Sequence, residues 1–159
     1  MRDSIFKILT IFSLLIFTSC SFFQSRERVE QISPNFTLSE ALGENDSVNN
    51  EIYENILYSA KRMEDVRSYL DSPIIVVSWY RTRFQNFWGG GARKSAHKKG
   101  LAVDFRAANT HDQRLIFNKI LKSNLSFDVI IYYKEQNFIH LGFKPEGELK
   151  NEKQLIMTK

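Results

Sequence analysis

The sequence predicts an α+β domain with a small, mainly antiparallel sheet and flanking helices. Three observations carry that expectation. A long run with helical spacing comes first, and short β-branched runs follow it with one more helical stretch among them. The last two runs are separated only by Lys134-Glu135-Gln136-Asn137, the spacing of an antiparallel hairpin. The 159 residues have room for one domain plus targeting and tail segments. With 43% hydrophobic residues and thirteen Phe, they can fill a modest core.

In chain order, Phe36 to Ala41 reads as a short helical entry, with Thr37 as N-cap and Glu40 as its capping-box partner. Residues 43–50 are polar and loop-like. The spacing of Ile52, Ile56, Ala60, Met63 and Val66 or Leu70 predicts a helix over residues 50–70, stopped by Asp71-Ser72-Pro73. Ile74 to Ser78 reads as a buried strand. The segment after it, with Gly89, Gly90 and Gly91, reads as a flexible turn; no Gly-Lys-Ser/Thr follows, which argues against a phosphate-binding loop. Trp79, Trp88 and the nearby Phe residues are expected in the core.

Leu101 to Phe105 predicts a second strand. Thr110 is a candidate cap for a helix running to about residue 123, with Leu115, Ile116, Ile120 and Leu121 as its apolar contribution. Residues 128–133 and 138–143 form the two hairpin strands. Lys144 onward is charged and is expected to fray.

The formal charge of +4 is spread among dispersed Lys and Arg with no long basic run, so no nucleic-acid partner is expected. Cys20 is the only cysteine, which excludes an internal disulfide framework and a thiolate zinc cluster. Any metal site must draw on carboxylates and on His97, His111 and His140. His111 stands beside Asp112 at a helix start and reads as solvent-exposed.

His97 precedes a strand and Asp104 lies within it, with Gly100 between them to supply a tight turn. His140 lies in the last strand. If that strand pairs near the first, the three side chains converge. A carboxylate in the apolar run Leu101 to Phe105 needs a partner, and a metal supplies one. Two imidazoles and a carboxylate suit catalytic zinc with a fourth position for water; they also suit the facial triad of iron oxygenases.

Residues 1–20 carry Arg2 and Lys7, then an apolar stretch from Ile8 to Phe17 that is too short for a comfortable span of about 20 residues. The segment ends in Thr18-Ser19-Cys20 and resembles a bacterial lipoprotein signal, which implies cleavage before Cys20 and lipidation of that residue. A plain secretory signal or an uncleaved anchor are the alternatives. Each places the domain outside the cytoplasm, and the lipoprotein reading attaches it to a bacterial membrane at the cell envelope. The expected organisation is a signal over 1–19, a tether over 20–35, a domain over 36–145 and a polar tail over 146–159.

The run from Ser95 to Asp104, S-x-H-x-x-G-x-A-x-D, followed by a strand His, resembles the zinc D-Ala-D-Ala carboxypeptidases and related peptidoglycan peptidases. Three more segments in the same order extend the likeness. Ser78-Trp79-Tyr80-Arg81 with Asn86 and the Gly run resembles that family's S-x-Y-R…N…G-G segment. Phe36 to Ala41 resembles the opening of its small, single-domain members. Phe138 to Phe143 resembles its closing W-[IV]-H strand, with Phe in place of Trp.

The resemblance implies the Hedgehog/DD-peptidase type of fold, with His97, Asp104 and His140 as Zn2+ ligands. Arg81 and Ser95 are expected to contact the carboxylate end or nearby backbone of a peptidoglycan stem peptide. Many relatives carry Asp or Glu three residues before the final His; Asn137 stands there and cannot act as a base. Glu135 is the candidate catalytic base and Asp128 the second. If neither serves, the chain is a zinc- and wall-peptide-binding envelope protein without catalysis. A monomer is expected.

Overall fold

The computed structural model describes residues 30–145 and 155–158. The signal, Cys20 and most of the expected tether lie outside these residues. Among the described residues, four helices and a single-turn 3-10 segment surround a five-stranded sheet, with a two-stranded hairpin at the start. The domain is α+β and mainly antiparallel, as its sequence predicts.

Strand β1 (Gln31–Ser33) pairs antiparallel with β2 (Phe36–Thr37). The last residues of the expected tether therefore belong to the fold: Glu64 accepts from the Ser33 hydroxyl and from Asn35, tying the hairpin to the long helix. Helix α1 (Leu38–Leu42) begins with the reciprocal Thr37–Glu40 capping box.

Helix α2 (Asn50–Leu70) is capped by the Asn49 side chain and ends where Asp71 turns left-handed at φ 51°. It buries Ile56, Ser59, Ala60, Met63, Val66 and Leu70, a stripe at three- and four-residue steps.

The sheet contains β3 (Ile74–Ser78), β4 (Ala102–Ala107), β5 (Val129–Tyr133), β6 (Phe138–Gly142) and β7 (Leu155–Thr158), in spatial order β3-β4-β6-β5-β7. The β3–β4, β4–β6 and β6–β5 pairs are antiparallel, and β7 joins β5 in parallel. The expected polar tail thus contributes a strand. Strand β3 departs from the expected buried strand: it forms an edge, and Ile75 and Val77 are exposed. A β-branched run alone does not say how many neighbours a strand will have.

Strand pleating sorts the sheet into two faces. Val103, Phe105, Ala107, Ile130, Tyr132, Ile139 and Leu141 point into the core with the stripe of α2 and with Ile116, Phe117 and Ile120 of α4 (Gln113–Leu121). Asp112, rather than Thr110, caps α4, and Leu115 is exposed while Phe117 takes its place inside. The opposite face carries Asp104, His140 and Tyr133.

The segment before the Gly run also differs from expectation. Helix α3 (Arg83–Trp88) forms there, capped by a Thr82–Gln85 box. Phe84, Phe87 and Trp88 are 70–75% exposed, while Trp79 is 1% exposed. Only Trp79 takes the expected core position.

Candidate metal centre

Register builds the centre first. Asp104 on β4 stands directly opposite His140 on β6, so the two side chains project from the same face. Ser78 of β3 flanks Asp104 on its other side across a bulge. His97 arrives from the 3-10 turn Ala96–Lys99. That turn ends at Gly100, whose φ of 72° lets the chain double back over the start of β4. A Cβ on Gly100 would meet Ile56 Cγ1 at 2.7 Å and the Ile52 carbonyl at 3.1 Å, so the turn also sits hard against α2.

Three donor atoms meet at one point. His97 Nε2 lies 3.1 Å from His140 Nδ1 and 3.2 Å from Asp104 Oδ1, and His140 Nδ1 lies 2.8 Å from the same Oδ1. Atoms bound to a tetrahedral zinc at its usual N and O distances stand about 3.3 Å apart, close to this triangle. These residues form a group able to hold a metal ion among the described residues. His97 and Asp104 are buried and His140 is half-buried, so the cluster opens on one side only.

The hydrogen-bond chemistry of the donors fits a cation. His97 Nδ1 is 2.6 Å from the Trp79 carbonyl, which can only accept, so Nδ1 carries the proton. In the neutral ring, Nε2 then presents a lone pair towards a carboxylate oxygen. Two acceptors at that separation repel unless positive charge lies between them. The Trp79 carbonyl thereby orients the ring from behind. Trp79 is itself fixed: its Nε1 donates to Ser59 Oγ at 2.9 Å and Ser59 Oγ donates to the Gly100 carbonyl at 2.8 Å, all buried. Nothing in the spacing of Ser59 marks it as a support for His97; only the packing of α2 against the 3-10 turn reveals it.

Burial pushes the Asp104 carboxyl up. In the metal-free site, hydrogen bonds and charge from His140 and His97 outweigh that cost and hold it well below the usual carboxylate range; with a cation bound, the His97 Nε2 lone pair would face the cation instead. The second Asp104 oxygen, Oδ2, accepts from Arg81 Nη2, and Arg81 Nε donates to Ser78 Oγ at 2.7 Å. Arg81 therefore joins the centre. Tyr133 lies on the same face as His140, stacked on Phe138 with ring centroids 4.7 Å apart. Burial and the Asp104 charge raise its hydroxyl pKa, against the opposing effect of Arg81, so it stays a proton donor. Nothing local in the sequence marks Tyr133 as a site residue; strand register is what aligns it with His140.

The remaining candidates stand apart. Ser95 opens the 3-10 turn without capping it and lines a neighbouring groove with Tyr80, Arg93 and Lys98. Glu135 is exposed in the β5–β6 turn. Arg106 pins that turn through the Gln136 and Asn137 carbonyls. Asn137 is structural: its amide accepts from Gln113 N and donates to the His111 carbonyl. Asp128 pairs with Lys144 at 3.6 Å at the far end of β5. His111 is exposed and takes no part in the cluster.

The model of a family described as Peptidase M15 matches residues 34–142, a span that contains the whole centre. No curated protein matches the chain.

Proposed function

The chain belongs to the peptidase M15 family, and from that premise we propose that it is a zinc-dependent metallopeptidase of the cell envelope. Its substrates in this reading are peptidoglycan stem peptides, cut as by a D-Ala-D-Ala carboxypeptidase or endopeptidase. The observation that carries the reading is the triangle of His97, Asp104 and His140 donor atoms, 2.8–3.2 Å on a side.

His97, Asp104 and His140 would hold the zinc ion, which would supply Lewis-acid chemistry to a scissile carbonyl and to a water. The chain's own residues do the rest. Asp104 pairs through its second oxygen with the Arg81 guanidinium, which favours its charged form. His97 keeps its lone pair directed inward because the Trp79 carbonyl holds its other nitrogen. Arg81 presents a planar cation at the rim of the centre, suited to a peptide carboxylate or carbonyl. Tyr133 offers a hydroxyl proton on the same face. Glu135 takes a proton from the attacking water and delivers it to the leaving amine. Ser95 contacts the substrate backbone from the adjoining groove. Lipidation at Cys20 holds a monomeric domain beside the wall it trims.

A second reading has an observation in its favour. Glu135 is exposed in its turn and makes no hydrogen bond to the cluster, so a zinc- and wall-peptide-binding protein without catalysis fits the same frame. Digestion of purified muropeptides, with and without chelator, separates the two. Cleavage that stops with chelator and falls at least about a hundredfold in Glu135→Gln supports the enzyme and its base. Undiminished cleavage by that variant removes Glu135 from the mechanism. Zinc binding with no cleavage by the wild-type chain favours the binding protein.

A further inference from the structure

Helix α3 reverses the usual division between inside and outside. Its one buried residue is the amide Asn86, while three aromatic rings face outward. The arrangement is built rather than loose. Asn86 Nδ2 donates to the Ala92 carbonyl, and Gly91 N donates to the Asn86 carbonyl, closing the Gly run onto the helix. A Cβ on Gly91 would lie 2.2 Å from Asn86 Oδ1, so this close approach needs glycine. Phe84 and Phe87 each pack edge-on against Trp88 with centroids 5.8 Å apart, which gathers the rings into one exposed cluster.

Positive charge borders that cluster. A depression of about 680 Å³ is lined by Phe87 together with Arg83, Arg93, Lys94 and Lys98. No Asp or Glu lines it, and none of its four cations is ion-paired among the described residues. Exposed aromatic clusters on soluble surfaces mark contact sites. Rings that include a Trp, set beside unpaired Lys and Arg, match the chemistry of an anionic bilayer interface: the rings enter the headgroup zone and the cations meet lipid phosphates.

We propose that α3 and the loop after it dock on an anionic phospholipid surface, fixing how the domain faces the membrane. Among the described residues no helix is long and apolar enough to cross a bilayer, so the contact is peripheral. The inference depends neither on zinc nor on peptidase activity. The anionic bilayer is favoured over a soluble polyanion because phosphate alone leaves the three rings without a partner.

The chain has two Trp, and they differ sharply: Trp79 is 1% exposed and Trp88 71%. Trp88 therefore reports contact and Trp79 serves as an internal reference. The full chain is reconstituted into vesicles of phosphatidylglycerol or phosphatidylcholine with brominated acyl chains, and Trp emission is recorded. The N-terminal segment can bring the protein to both vesicles, so only quenching localised at Trp88 counts. The expected result is quenching in phosphatidylglycerol that disappears in Trp88→Phe. It should fall at least about fivefold in Arg93→Glu/Lys94→Glu and in zwitterionic vesicles. Unchanged Trp79 emission in each variant shows that the fold is kept. Equal emission in both lipids overturns the proposal. So does protection of Trp88 by soluble polyphosphate without quenching by brominated lipid.

Discussion

The sheet face around Asp104 and helix α3 lie in one small domain and use their positions in opposite ways. On the sheet, charged and polar groups are buried: His97 is 3% exposed and Asp104 2%. On α3, three aromatic rings face solvent while an amide is buried. The sheet face keeps its polarity because its groups have polar partners: Asp104 pairs with the Arg81 guanidinium, His97 Nδ1 donates to the Trp79 carbonyl, and a cation would satisfy the donor atoms that face one another. The rings of α3 have only one another. A buried polar group with complete partners marks an internal site, and an exposed apolar group without them marks an external one.

Breaking the sheet side should have the largest effect. Asp104→Ala removes one ligand of three and is expected to lower zinc affinity at least about a hundredfold, beyond the loss typical of a supporting residue. Titration calorimetry measures it. The same carboxylate sets an acid limit on the metal-free fold. Its folded pKa is depressed, so its stabilisation is complete above the unfolded carboxylate range, near about pH 4, and is lost as pH falls towards the folded value. Thermal melts in chelator should show this acid limb weakened in Asp104→Asn.

The supports beneath the centre should matter less, yet clearly. Gly100→Ala places a side chain at φ 72° and against Ile56; the expected cost is about 1–3 kcal/mol, with weaker zinc binding because His97 rides on that turn. Ser59→Ala removes the hydroxyl between Trp79 and the Gly100 carbonyl and should cost about 1–2 kcal/mol. Denaturant midpoints read both. The smallest effect belongs to the exposed side of the comparison. Trp88→Ser should shift stability by no more than about 0.5 kcal/mol and leave zinc affinity unchanged. A large loss there would mean that the α3 rings act as core.

Much of the architecture was legible because it is written in local patterns. The stripe of α2, the Thr37 capping box and the four-residue hairpin turn are all short-range signals. The convergence of His97, Asp104 and His140 was legible from residue type and spacing, since an acid inside Leu101 to Phe105 demands compensation. What escaped depends on partners distant in sequence. Strand β3 is an edge because, among the described residues, only β4 pairs with it. Strand β7 sits in a charged tail and gains its place from β5. Helix α3 was missed because its burial pattern is inverted, so the usual periodicity is absent. Ser59 and Tyr133 reach the centre only through packing and register.

A zinc peptidase needs the two imidazoles and the carboxylate to hold one metal ion together. X-ray absorption on the zinc-loaded chain reads that directly. The expected spectrum shows one zinc per chain, scattering from two imidazole rings, and nitrogen and oxygen neighbours at about 2.0–2.2 Å. A spectrum without imidazole scattering, or one with a sulfur neighbour that would point to Cys20, would contradict that coordination.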